Sequence, residues 1–277
     1  MSRTMAALGT GSAVHAPPAA YRRAGAALAA EWIKLRSLRS MFLTPLLGAV
    51  ASIALADSAV KNNAAGWAHL DAVQKARFDP LYTNFNFVII GILLFGVLGA
   101  LVATNEYGSG LIRTTLAATP QRGLVLGAKA VLAGLLSFAL AVVIVFGAFL
   151  TGQGILSGYH APHVSLGDHN VLAHLLGTVY YMTAAGLIGL FTGVLVRSAA
   201  AGITSMFGLL FVLPVLADKI TPDAATRHTV PYLSMNLGDE MLHHHTGLSP
   251  GVAVAGLAAW VLVLAAAAAF SLCGRDA

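Results

Sequence analysis

Long apolar runs broken by short polar segments set the pattern of this chain. Six windows contain no Asp, Glu, Lys or Arg: roughly Met41–Ala56, Asn84–Thr104, Ala130–Thr151, Val171–Val196, Ala199–Leu216 and Pro250–Leu272. A helix rising 1.5 Å per residue needs about 20 apolar residues to cross about 30 Å of hydrocarbon. Several windows reach that length, so the pattern predicts an all-α integral membrane protein with six transmembrane helices. The first window is short because Asp57 closes it, and it borrows Leu38 while Arg39 snorkels to the headgroups.

Composition supports the same reading. Hydrophobic residues make up 57% of the 277, charged residues 10%, and the mean hydropathy is +0.78. Ordinary soluble domains carry roughly 25% charged residues, so a water-facing globule is excluded. Residues 1–25, rich in Ala, Gly and Pro with Arg3, Arg22 and Arg23, lack the apolar core of a signal peptide. They read as a disordered cytosolic tail ahead of a six-helix domain over 26–277. The lone Cys273 excludes an internal disulfide.

A net charge of +5 and a pI near 9.6 raise the question of nucleic acid. The basic residues sit beside apolar spans and form no basic domain, so they read as orientation signals and nucleic acid is not a partner. With the N-terminus in the cytosol, eleven Lys and Arg fall on inner segments and five on outer loops. That excess places both termini inside. Small residues suit helix packing in lipid: Gly91, Gly96 and Gly99 in the second window, and Gly186, Gly189 and Gly193 in the fourth.

Two inner segments carry more information. In Asn105–Arg122, Glu106 and the interfacial Tyr107 end the second span, and Gly108 and Gly110 permit a sharp reversal. The run LIRTTLAA then has helix-forming length, with Leu111, Thr115 and Ala118 on one face, and Pro120 stops it. Ahead of the first span, Leu28, Trp32, Leu35 and Leu38 form a helical stripe able to bury in the interface. Glu31 and Lys34 are i,i+3 neighbours there, and Lys34, Arg36 and Arg39 can meet anionic headgroups.

The runs EWIKLRSLRS (Glu31–Ser40) and GALVATNEYGSGLIRTTLAATPQRGLVLGAKA (Gly99–Ala130) resemble type-2 ABC exporter permeases of actinobacterial style. The resemblance implies an amphipathic connecting helix bearing Glu31, Trp32, Lys34, Arg36 and Arg39. It implies a cytosolic coupling helix that docks on an ATPase, with Glu106, Tyr107, Gly108, Gly110, Arg113, Pro120 and Arg122 as its residues. It further implies a permease in a bacterial inner membrane, exporting a hydrophobic or amphipathic substrate such as a drug, antibiotic, lipid or peptide. Partners would be an ATPase subunit and a second permease copy or relative. In such permeases the last outer loop, here Ala217–Ser249, dips back as short helices.

No phosphate loop is present: Gly127-Ala128-Lys129-Ala130 lacks the rest of the pattern that cradles phosphates. The chain reads as a transport subunit without cofactor, with ATP and Mg in a separate subunit. Asn84, Asn86, Tyr180, Tyr181 and Thr183 are the candidate pathway residues, since no window holds the carboxylate that a proton relay requires. Nine of ten histidines fall in or near outer loops, including His160, His163, His174 and His243–His245. They supply the alternative, a metal-binding or enzymatic membrane protein. Without a fixed-spacing acidic cluster beside them, solvated loop histidines are the expectation and no metal ligand is assigned.

Overall fold

A computed structural model describes residues 20–37, 40–85, 88–118, 121–220, 229–243 and 247–274. Every regular element among the described residues is helical. Leu38, Arg39, Asn86, Pro120, His244 and His245 lie outside them, as do the side chains of Asn84, Arg113 and His243.

Six helical stretches are long and apolar enough to cross a membrane: Leu43–His69, Ile90–Gly108, Arg122–Gly158, Val171–Val196, Ala199–Ala217 and Pro250–Gly274. In chain order the helices are α1 (Ala20–Ser37), α2 (Ser40–Gly66), α3 (Ala72–Ala76), α4 (Pro80–Phe85), α5 (Val88–Gly108) and α6 (Leu111–Ala118). There follow α7 (Arg122–Gly158), α8 (Val171–Val196), α9 (Ala199–Phe207), α10 (Leu213–Ile220), α11 (Ser234–His243) and α12 (Pro250–Gly274).

Three boundaries differ from the sequence expectation. Helix α1 begins at Ala20, inside the stretch read as a tail. Helix α2 does not stop at Asp57 but continues to Gly66, because Thr151 Oγ1 donates to Asp57 Oδ1 at 2.7 Å and gives the carboxylate a partner. Helix α7 has 37 residues, about 55 Å at 1.5 Å per residue, so it overruns the bilayer and shortens the following loop to 159–170.

Helix α8 is the centre of the bundle: 72% of its apolar window is buried, against 17% for α12 and 22% for α7. Its most extensive contact is with α5, and α7, α12 and α9 complete its surround. Tyr181, Met182, Ile188 and Leu190 of α8 are fully buried, with Phe95 of α5 and Phe149 of α7 beside them. Glycines let α5 and α8 touch backbone to backbone. A Cβ on Gly99 would lie 1.9 Å from the Gly186 carbonyl oxygen, and one on Gly189 2.0 Å from that of Gly96.

Between α9 and α10 the fifth span widens into a π-helical turn, Gly208–Val212. The wider turn loosens the carbonyl ladder, and Ser234 Oγ donates to Leu209 O at 3.4 Å. Beyond a short 3-10 turn, Val230–Tyr232, helix α11 folds back onto α8 and α12. Leu237 is its fully buried anchor, and a Cβ on Gly256 of α12 would meet it at 2.7 Å.

Candidate functional site

Among the described residues three of the four buried charged ones, Glu31, Glu106 and Lys129, gather at one end of the bundle, where α5 and α8 end and α7 begins; the fourth, Glu240, lies on α11. Helix α5 carries Glu106 there and closes with Ser109 N and Oγ both donating to Asn105 O, at 3.1 and 2.8 Å. The reversal falls on Gly110, whose φ of +73° suits glycine; Gly108 is still the last residue of α5. Helix α6 then runs beside α5 over the eight residues expected of it. Its described buried side chain is Ile112, with Thr115 half-buried, while Leu111 is exposed.

Helix α1 lies against the first turns of α7. Of the stripe Leu28, Trp32, Leu35 and Leu38, Leu35 is buried and Leu28 half-buried against the protein, Trp32 is on the outer surface, and Leu38 lies outside the described residues. Ala27, Glu31 and Leu35 face inward, whereas Trp32 is 43% exposed and Arg36 is exposed. The reason lies on α7: Lys129 is buried two turns into that helix and draws Glu31 toward it.

Four charges close into an alternating ring. Lys129 Nζ donates to Glu31 Oε2 at 2.7 Å and to Glu106 Oε1 at 2.7 Å. Lys34 Nζ donates to Glu31 Oε1 at 2.5 Å and to Glu106 Oε1 at 3.1 Å. Its further bond to Thr115 Oγ1, at 3.0 Å, brings α6 into the ring. Side-chain exposures of 7% for Lys129, 5% for Glu31 and 11% for Glu106 place three of the four out of solvent. Isolated, each would be expensive to bury; together they cancel to zero net charge and share their hydrogen bonds. Glu106 Oε2 is the exception, buried without a hydrogen-bond partner.

Electrostatics within the ring holds both α1 groups charged. Burial alone would raise the Glu31 pKa, but Lys129 and Lys34 outweigh it and hold it below its ordinary 4.5. Burial would likewise lower Lys34, yet Glu31 and Glu106 hold it above 10.5.

Two arginines read as orientation signals also have structural duties at this end. Arg122 Nη1 donates to Leu272 O at 2.6 Å and Arg197 Nη2 to Ser271 O at 3.2 Å. Both cap carbonyls in the last turn of α12, which the helix leaves unsatisfied. The Arg197 guanidinium also lies 5.7 Å from the Tyr107 ring centroid, a cation–π distance.

Of the candidate pathway residues, the three with described side chains, Tyr180, Tyr181 and Thr183, have separate surroundings. Tyr180 Oη donates to Val254 O on α12 at 3.0 Å, whereas Tyr181 is buried against Gly238 of α11. Thr183 Oγ1 bonds back to Val179 O within α8 at 2.7 Å. Among the described residues no group of three or more His, Cys, Asp or Glu is arranged to hold a metal.

Lys129 is the ring residue to which the sequence reading gives no site role, and Thr115 is placed there on a helix face without a partner. Lys129 was counted for topology and for its failure as a phosphate-loop lysine. The signal for it was a cation standing two turns inside an apolar helix, opposite a glutamate at the end of the preceding span. Chemically, the ring offers no nucleophile or open cavity; it is a joint. Displacing α1 relative to α5 and α7 means separating buried ion pairs, and displacing α6 means breaking the hydrogen bond between Lys34 and Thr115. Comparison of the chain with protein-family models, with curated proteins and with solved structures finds no match.

Proposed function

We propose that this chain is the membrane-spanning permease subunit of an ATP-driven ABC-type exporter. In this reading it acts as a dimer, with its own copy or a related permease, bound to two ATPase subunits in a bacterial inner membrane. The observation that carries it is the ring of Glu31, Lys34, Glu106 and Lys129 with Thr115 attached. A helix before the first span and a helix between the second and third are thereby joined to two spans at one buried point. A soluble motor pressing on α6 would act on α5 and α7 through that point, and the bundle would switch between inward and outward access. The sequence resemblance over Glu31–Ser40 and Gly99–Ala130 and the six apolar helices support the same reading. The ring end would then face the cytosol, with both chain termini. The metal or enzyme alternative gains no observation in its favour.

The test is affinity purification of the tagged chain in mild detergent, with mass spectrometry and an ATPase assay. The expected result is a near-stoichiometric ATP-binding subunit with vanadate-sensitive hydrolysis; a chain recovered alone and inactive would sink the proposal. A second measurement probes the joint. Thr115→Val keeps the shape of the side chain but cuts α6 from Lys34. Substrate-stimulated turnover should fall by about three- to tenfold, on the order of 1 kcal/mol of coupling, while the ATPase subunit still co-purifies. Unchanged stimulation would remove Thr115 from the coupling path.

A further inference from the structure

At the end opposite the charge ring, α8 and α12 begin side by side and leave a groove of about 500 Å³ between them. That volume falls within the roughly 300–1,000 Å³ of small-molecule sites. Asn170 and His174 stand at its rim, with His174 Nδ1 held 2.8 Å from Asn170 O. Ala173 and Gly177, one turn apart, leave the α8 wall without bulk, and Met241 of α11 forms part of the lining. The bond from Tyr180 Oη to Val254 O crosses between the two walls. From Asn170 to Tyr180 the α8 backbone rises about 15 Å, about the depth of one leaflet of a 30 Å hydrocarbon layer.

Two features specify an occupant. The sides of the groove are apolar and uncovered: Leu176 is 50% exposed and Val254 44%, so it opens sideways into lipid. The lining contains no Asp, Glu, Lys or Arg, and residues 159–169 leading to the rim carry Asp168 and no Lys or Arg, their other titratable groups being Tyr159, His160, His163 and His169. Among the described lining residues a full anion would meet no Lys or Arg, whereas a zwitterionic head sets its phosphate against the hydrogen-bonding groups and the partial positive charge at the start of α8 and leaves its own cation to balance it.

We infer that this groove binds the hydrocarbon chain of an amphipath with a net-uncharged head, entering from the leaflet opposite the charge ring. The inference does not depend on the ATP-driven reading, and its test uses no ATPase. The purified full-length protein in a nonionic detergent is photolabelled with lysophosphatidylcholine carrying a diazirine in its acyl chain, and the adducts are mapped by mass spectrometry. Labelling should saturate and concentrate on residues 170–180 and 250–254. Unlabelled lysophosphatidylcholine should compete about tenfold better than lysophosphatidylglycerol. Ala173→Phe, on an exposed position of α8, should fill the groove and cut labelling there about fivefold, equivalent to a similar loss of affinity, with labelling of α7 unchanged. Val254→Phe should do the same from the other wall, so the test survives if one variant fails to accumulate. Even labelling over all lipid-facing spans, equal competition by the anionic lipid, or no effect of either substitution would overturn the inference.

Discussion

Replacing Lys129 with Met is expected to lower stability by about 3–5 kcal/mol, the usual consequence of removing one partner from a buried ion pair. The substitution conserves apolar bulk along the stem but leaves Glu31 and Glu106 with Lys34 alone between them. Both carboxylates are buried, and one negative charge then has no compensation. The double variant Glu31→Gln with Lys129→Met restores neutrality, keeps the Lys34–Glu106 contact, and should recover most of the loss. Thermal unfolding in detergent reads this directly, with a fall on the order of 10 °C for the single variant and a much smaller one for the double. A single variant within about 1 kcal/mol of wild type would mean that the ring does not bear on stability, and the joint would lose its basis.

The same ring sets a pH window. Glu31 is held below 4.5 by its lysines, so its contribution is full above that value and disappears as pH falls through the lower folded-state value. Lys34 is held above 10.5, so its contribution is full below that value and is lost as pH rises through the folded-state value. The unfolding midpoint should therefore be level from about pH 5 to 10 as far as these groups determine it, and fall on either side. Glu31→Gln should flatten the acid limb. An acid limb of equal depth in that variant would assign the loss to other carboxylates.

How far the sequence could lead differs between the two halves of this argument. Hydrophobic runs are one-dimensional, so all six apolar helices could be placed from windows free of Asp, Glu, Lys and Arg. The boundary at Asp57 is wrong because the charge reads as a terminator, and the structure gives Asp57 a hydroxyl partner, Thr151 on α7. The helix over Leu111–Ala118 was legible from Gly110 and Pro120, which are local signals. The partner of Thr115 was not, because it is Lys34, 81 residues away in sequence. The Glu31–Lys129 pair spans 98 residues and turns Glu31 of α1 inward while Trp32 stays on the outer surface. Pairings of that kind are decided by tertiary packing and leave no periodic trace. The surroundings of the candidate pathway residues are equally tertiary: the adjacent Tyr180 and Tyr181 point to different helices.

The glycines are the opposite case, readable in kind from sequence and sharpened by the structure. Gly189→Val should be the most damaging single change in the bundle interior. Its Cβ would stand 2.0 Å from the Gly96 carbonyl oxygen and 2.9 Å from the Gly96 Cα, and backbone cannot swing away as a side chain can. The two helices must separate along their whole contact, which also carries Gly99 against Gly186 and Gly193 against Ala100. Ordinary overpacking costs about 1–3 kcal/mol; a backbone collision at the central helix pair should exceed that range and leave little folded protein in the membrane. Gly154→Ala in α7 is the matched control, since a Cβ there meets nothing within 4 Å. It should be neutral or stabilising by up to about 1 kcal/mol, the helix propensity gained over glycine. Yield of monodisperse protein from detergent extracts separates the two. Equal yields would show that α5 and α8 are not held at glycine contact distance, and α8 could no longer be the helix around which the others are arranged.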